Sequence, residues 1–162
     1  MVDCYWEREM WMQLNQDSSK YQFLMLVHPA FGMSDLGKVD WRFSLRRSLN
    51  KFILSSHNLE IETGRFSRPA VPRHQRFCTY CLAQGVQVLG DEKHALDVCP
   101  QFQQDRILTW EYIRLVIPKE TFAEDVLVAL LQELDAFKIS VRAKVWRAVA
   151  ILMEKIQISK KR

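Results

Sequence analysis

Three of the four cysteines in this chain and one of its four histidines follow a C-x2-C-x12-H-x4-C pattern. Three thiolates and one imidazole are a donor set that suits a tetrahedral Zn²⁺ ion, and they leave no coordination position open. The pattern therefore predicts a structural Zn²⁺ site, and it requires both halves of the segment to return to one point. Gly85 and Gly90 lie between the halves and favour such a return. The predicted ligands are Cys78, Cys81, His94 and Cys99.

The spacing of the second pair of ligands predicts a break in the backbone. His94 and Cys99 are five residues apart, which on an unbroken α-helix separates their side chains by about 140°. Pro100 biases Cys99 toward extended backbone and so provides the break. We expect His94 on a short turn or helix and Cys99 at the start of the next helix.

Charged residues close to the ligands in sequence suggest how the site is supported. Asp91 or Glu92 is expected to orient the imidazole of His94. Zn²⁺ with three thiolates carries one net negative charge, which Lys93, Arg73 and Arg76 are placed to offset. His74 is a competing ligand that ranks below His94, and Cys4 is expected to be a separate thiol.

Composition indicates the class of protein. The chain has 162 residues, of which 48% are hydrophobic and 26% charged, as in a soluble globular protein with a core of its own. No apolar run approaches a membrane span. Residues 1–7 carry an acid where a secretory signal carries bases. We expect one domain, or one with a small appendage, at an intracellular location, the nucleus included, where thiols stay reduced.

Hydrophobic periodicity predicts helices over residues 5–14, 20–27, 41–54, 100–118 and 120–132. Asp40 is a candidate N-cap for the third, and Leu59 to Glu62 alternate as in a short extended segment. The predicted fold is mainly α, a helical domain with an irregular zinc-stabilised segment in the middle. Its segments are 1–54, 55–106 and 107–162. The clearest apolar stripe comprises Leu134, Phe137, Val141, Val145, Ala148, Val149, Leu152 and Ile156.

Positive charge is concentrated ahead of the predicted metal site. Residues 41–76 contain eight bases and two acids, although the whole chain has a net charge of only +4. Such a segment is a plausible phosphate-binding surface, and the alternative is an ordinary solvated surface. Phe66, Phe77 or Tyr80 could stack on bases. The candidate nucleic-acid-binding residues are Arg65, Arg68, Arg73, Arg76 and Lys93.

Residues 55–106 also carry a recognisable series of motifs. The series reads SHxLxIExGR, then RxCxxC, then GDExHxLxxCPxFxxxR, and it covers roughly a third of the chain. It resembles the region after the polymerase domain in non-LTR (LINE-type) retrotransposon reverse transcriptase polyproteins. The resemblance implies a zinc-knuckle-like module that helps a reverse transcriptase to engage RNA or DNA. No Y-x-D-D polymerase motif or P-D…D endonuclease pattern is present in this sequence.

These observations predict a module that binds zinc and nucleic acid and has no catalytic site of its own. Its expected partner is RNA or DNA, with no membrane and no small-molecule substrate. The alternative is a helical protein–protein interaction domain in which zinc has only a structural role. A metal-dependent hydrolase is a weaker third reading, because four protein ligands leave no open position on the metal.

Overall fold

The computed structural model describes Phe23, residues 42–118 and residues 126–160. This part of the chain is mainly helical, as predicted, and the Cys/His segment lies in its middle. It contains no β-strand longer than an isolated bridge. Its α-helices are α1 Phe43–Ile53, α2 Glu60–Thr63, α3 Thr79–Leu82, α4 Gln103–Arg114, α5 Leu127–Glu133 and α6 Ile139–Ser159. Short 3₁₀ turns cover Arg73–Gln75, Pro100–Phe102 and Leu134–Ala136, and a π turn covers His94–Val98.

Several predictions fall wholly or partly outside the described residues. The predicted helix 5–14, Asp40 and Cys4 lie outside them, and of the predicted helix 20–27 only Phe23 is described, as a buried residue. The predicted helix 120–132 is described only from residue 126 onward. Phe23 belongs to the same core as α1 and α6.

Helix α6 is the centre of the packing. Its 21 residues pack against both α1 and α4, and Val145, Val149 and Leu152 are fully buried along one side. The predicted stripe is therefore confirmed, although its first members, Leu134 and Phe137, precede the helix. This is the expected result for an amphipathic helix whose apolar residues recur every three or four positions.

The prediction of an extended segment from Leu59 to Glu62 was wrong. Glu60–Thr63 forms one turn of α-helix, closed by a hydrogen bond from Gly64 N to Glu60 O at 3.0 Å. Ile61 and Glu62 are consecutive and both buried, so the alternation in the sequence does not correspond to two faces. Tertiary contacts override the local pattern here, as in the hydrogen bond from Ile61 N to Gly90 O at 3.1 Å.

The helices hold the segment that carries the predicted metal ligands. The π turn His94–Val98 contacts α4, α5 and α6, and one continuous core includes Leu49, Leu96 and Val149 from the three predicted segments. Among the described helices, none combines the length and the apolar character needed to cross a bilayer.

Candidate metal centre

The four predicted ligands come together in the structure. Their donor atoms lie within 4.8 Å of one another, and all four residues are buried. The Cys78 and Cys99 sulfurs are 3.8 Å apart, and the Cys81 sulfur is 3.4 Å from His94 Nε2. This Cys₃His group could hold a metal ion.

A short hairpin positions the first two ligands. Cys78 directly precedes α3 and Cys81 lies within it. The chain returns antiparallel to this pair, with Cys78 N donating to Val88 O at 2.8 Å and Gly90 N donating to Arg76 O at 2.9 Å. Val86 N donates to Cys81 O at 2.9 Å, so backbone hydrogen bonds from the returning chain hold both cysteines in place.

Two glycines make this hairpin possible. Gly85 has a φ of +80°, a conformation that L-residues with a Cβ rarely adopt. Gly90 has a different role, because a Cβ there would lie 2.5 Å from Glu60 Oε2 and 3.1 Å from Cys78 Cα. The predicted return of the loop thus depends on a left-handed residue at one position and on close backbone approach at the other.

The second pair of ligands lies on either side of the predicted break. Cys99 is extended, with φ −60° and ψ 121°, and it precedes the turn that leads into α4. His94 lies in the π turn, where Cys99 N donates to His94 O at 2.8 Å. The break before Pro100 is confirmed. Its form is a π turn, whose i to i+5 hydrogen bond brings residues five apart into one turn.

Burial sets the protonation of the donor groups. Desolvation raises the pKa of the Cys99 thiol to about 12 and also raises that of Cys81. It lowers the pKa of His94, which favours the neutral imidazole that can ligate a metal. A cation that binds here must displace thiol protons, so its affinity is expected to fall as the pH falls.

The prediction that Asp91 or Glu92 orients the imidazole was wrong. Asp91 Oδ1 accepts a hydrogen bond from the backbone N of His94 at 2.8 Å, and so caps the π turn instead. His94 Nε2 faces Cys81, and within the described residues His94 Nδ1 has no hydrogen-bond partner.

Glu92 joins a buried network that sequence reasoning missed. Its Oε1 accepts from Ser55 Oγ at 2.7 Å and lies 2.8 Å from His57 Nε2. Leu59 N donates to His57 Nδ1, so the ring proton is on Nε2 and is donated to Glu92. Burial acts to raise the pKa of Glu92, but the contacts with His57 and Ser55 outweigh it and the pKa is lowered. The network ties the end of α1 to the residues before His94.

Two cations that were not expected lie near the ligands. Lys160 Nζ lies 4.0 Å from Cys78 Sγ, and Arg106 Nη1 donates to Cys99 O at 2.7 Å. After the effect of burial, the main charges that act on the pKa of His94 are those of Asp91, Glu60, Lys160 and Arg106. The charge offset expected from Lys93, Arg73 and Arg76 stays a prediction. The distance from Lys160 to Cys78 in the sequence explains why local reasoning did not find it.

The structure brings three of the candidate nucleic-acid-binding residues together. After burial, the charges of Arg65 and Arg73 are the main causes that lower the pKa of Arg76. Arg65 also pairs with Glu62 at 3.3 Å. Arg76 donates to Ile61 O at 2.6 Å and to Val71 O at 2.9 Å, so its guanidinium holds the loop together.

The remaining candidates are more exposed. Arg68 and Lys93 are exposed, and so is His74, whose Nε2 lies 3.2 Å from Gln75 Nε2 rather than among the ligands. Phe66 is 77% exposed beside Arg65 in the sequence, and Tyr80 is exposed to a lesser degree.

Comparison of the chain with protein-family models, curated proteins and solved structures found no match.

Proposed function

We propose that the chain is a zinc-binding module that contacts RNA or DNA through the basic segment ahead of Cys78. The observation that carries the proposal is that Arg65 and Arg73 lie close enough to Arg76 to lower its pKa, with the exposed ring of Phe66 next to Arg65 in the sequence. Clustered arginines neutralise phosphates, and exposed aromatic rings stack on bases. The resemblance to the post-polymerase region of non-LTR retrotransposon polyproteins supports the same function.

Zinc is the metal that the donor geometry supports best. A tetrahedral ion with bonds of about 2.3 Å to sulfur and 2.0 Å to nitrogen separates two sulfurs by about 3.8 Å, and a sulfur from a nitrogen by about 3.5 Å. Two of the six donor pairs here have such distances, 3.8 Å and 3.4 Å, and all the donor atoms lie within 4.8 Å of one another. Because the protein supplies all four ligands, the proposed ion is structural and not catalytic.

In this proposal the metal shapes the basic loop. Arg76 is two residues before Cys78, and it clamps the carbonyls of Ile61 and Val71. Its role is to fold the loop, whereas the phosphate contacts are assigned to Arg65, Arg68, Arg73 and Lys93. Loss of the metal would then weaken nucleic-acid binding indirectly, because the loop would lose its shape.

Salt-dependent binding tests the proposal. Anisotropy titrations with labelled single-stranded RNA and duplex DNA are expected to show binding that weakens with salt. Four phosphate contacts correspond to roughly a 150-fold loss of duplex affinity between about 50 and 200 mM salt. The Arg68→Glu/Arg73→Glu variant should bind more weakly and with a shallower salt dependence.

A matched control separates this effect from net charge. Lys138 and Lys144 are exposed near the start of α6, a helix about 30 Å long whose other end reaches the metal centre. The Lys138→Glu/Lys144→Glu variant has the same change in net charge and should retain more affinity than the arginine variant. Undetectable binding of the unmodified protein at low salt, or equal losses in both variants, would refute the proposal.

A protein–protein interaction is the second candidate function, and a groove between α4 and α6 favours it. The groove has a volume of about 360 Å³, and Leu108, Tyr112 and Ile151 contribute partly exposed apolar surface to it. In this reading zinc only stabilises the fold, so charge reversal at Arg68 and Arg73 would leave partner binding intact.

A further inference from the structure

The end of α6 lies against the metal centre. Lys160, the C-cap of this helix, approaches Cys78. Gln101, two residues after the ligand Cys99, donates through Nε2 to Ser159 Oγ at 2.9 Å. The last turn of the longest described helix therefore contacts one ligand directly and the segment that follows another.

Lys160 is held in an unusual environment for a lysine. Its side chain is only 9% exposed, and its ammonium donates to Glu60 Oε1 at 2.6 Å and to Thr79 Oγ1 at 3.4 Å. Lysine is rarely buried unless it is paired. Because Thr79 directly follows Cys78, these contacts hold the ammonium at the edge of the metal centre.

Glu60 determines where that ammonium lies. The same carboxylate oxygen accepts from Thr79 N at 3.0 Å and from Thr79 Oγ1 at 2.7 Å, so it binds both the lysine and the residue after the ligand. These bonds outweigh the effect of burial and lower the pKa of Glu60, so the carboxylate is ionised. Glu60 thus acts as a fixed anchor between α6 and the ligand hairpin.

We propose that Lys160 is a positioning residue of the metal centre, which stabilises the Cys78 thiolate and couples metal binding to the docking of the end of α6. The inference rests on the proposed zinc site. Three thiolates around a divalent ion leave one net negative charge, and a nearly buried ammonium 4.0 Å from sulfur opposes it with little screening by water. By linkage, the metal must stabilise the docked helix end as much as the docked end stabilises the metal.

Metal affinity in a small set of variants tests the role of the ammonium. Lys160→Met keeps the length of the side chain and removes its charge, and it should weaken Zn²⁺ binding by about tenfold to a hundredfold in chelator competition. Lys160→Arg, which keeps a positive charge, should recover part of this loss. Lys155→Met is the matched control, because Lys155 is more exposed on the same helix and pairs with Asp105. It should leave the affinity unchanged.

A second variant distinguishes an electrostatic effect of Lys160 on the sulfur from a purely structural role of the ion pair between Lys160 and Glu60. If Lys160 acts through its charge at sulfur, Glu60→Gln, whose amide oxygen can still accept from the ammonium, should weaken Zn²⁺ binding less than Lys160→Met does. If the ion pair has only a structural role, Glu60→Gln and Lys160→Met should weaken Zn²⁺ binding equally, and this result would overturn the inference. The charge-transfer band of the Co²⁺-substituted protein reports whether the thiolate ligands are retained in each variant.

Hydrogen exchange tests the coupling itself. Zn²⁺ should slow amide exchange in the last two turns of α6 in the unmodified protein, and this effect should be smaller in Lys160→Met. Failure of the unmodified protein to bind Zn²⁺ would refute the proposed zinc site. Binding by the unmodified protein with the same affinity in Lys160→Met would refute only the role of Lys160.

Discussion

Helix α6 covers 21 residues, whereas no helical element between residues 55 and 99 is longer than five. The helix is buried through apolar side chains such as Val149 and Leu152 that recur at helical spacing. The metal-ligand segment, residues 55–99, buries its ligands together with polar groups such as His57 and Glu92. Both regions contain buried side chains, but those side chains differ in chemistry.

This difference teaches how each region is stabilised. Apolar burial has no direction, and its contribution is roughly proportional to the apolar area removed from water. A buried polar network depends on every member. A buried donor or acceptor that loses its partner has no hydrogen bond to replace those it made with water, and this lowers the stability of the fold. We therefore expect the metal-ligand segment to unfold cooperatively when one member is lost. A single substitution in the helical core should instead lower the stability by a limited amount.

Metal removal is expected to have the largest effect, and it should be concentrated in the metal-ligand segment and in the last two turns of α6, which contact that segment. Structural Zn²⁺ contributes on the order of 10 kcal/mol to the folding of small domains. After chelation, amides in residues 55–99 should exchange with solvent rapidly, while the middle of α6 stays protected. Cys81→Ser should reproduce this pattern, and Cys4→Ser, outside the ligand pattern, should not. If the amides of residues 55–99 stay protected from exchange without metal, the segment does not depend on the metal and its expected difference from α6 is refuted.

A core truncation in α6 should have a smaller effect that is not specific to the metal. Leu152→Ala is expected to lower the free energy of unfolding by about 2–5 kcal/mol, because a fully buried side chain leaves a cavity. The ratio of metal to folded protein should not change. Ile151→Ala on the exposed side is the control and should cost much less. Loss of metal in the folded Leu152→Ala protein would show that the two regions are not separable.

The smallest effect is expected at Glu92, and it should depend on pH. Glu92→Gln replaces an ionised acceptor of two buried hydrogen bonds, and should cost about 1–3 kcal/mol at neutral pH. Because the folded pKa of Glu92 lies below its ordinary value of 4.5, its contribution is present above that value. It is lost as the pH falls through the lowered pKa.

Denaturant unfolding of the two proteins across this pH range measures the effect. The difference in stability between the unmodified protein and Glu92→Gln should shrink on acidification below about pH 4.5. Glu133→Gln, at an exposed position on α5, is the control and should show no such trend. If the difference in stability grows on acidification, the direction assigned to the pKa shift of Glu92 is wrong.

Much of the framework could be predicted from short stretches of sequence. Cys78, Cys81, His94 and Cys99 were identified by spacing alone, and the break before Pro100 followed from the geometry of a proline. The stripe of α6 followed from helical periodicity. The contacts proposed for Arg65, Arg68, Arg73 and Lys93 with nucleic acid stay a prediction.

Errors arose where a local pattern competed with distant contacts. Leu59 to Glu62 alternate in polarity, yet the segment is helical because Ile61 bonds to Gly90 and Glu60 reaches Thr79. Asp91 and Glu92 are near His94 in sequence, but a backbone amide and the pair Ser55 and His57 take their oxygens. Nearness in sequence did not identify which partner each carboxylate finds.

The sequence by itself determined the Cys₃His group, the break between its last two members and the apolar face of α6, because the spacing of these residues and helical periodicity are local properties. Only the tertiary structure decided which charges support the ligands. Lys160 is 82 residues from Cys78 and meets it only because α6 packs across the fold. Such contacts depend on how helices pack, and no short stretch of sequence encodes that.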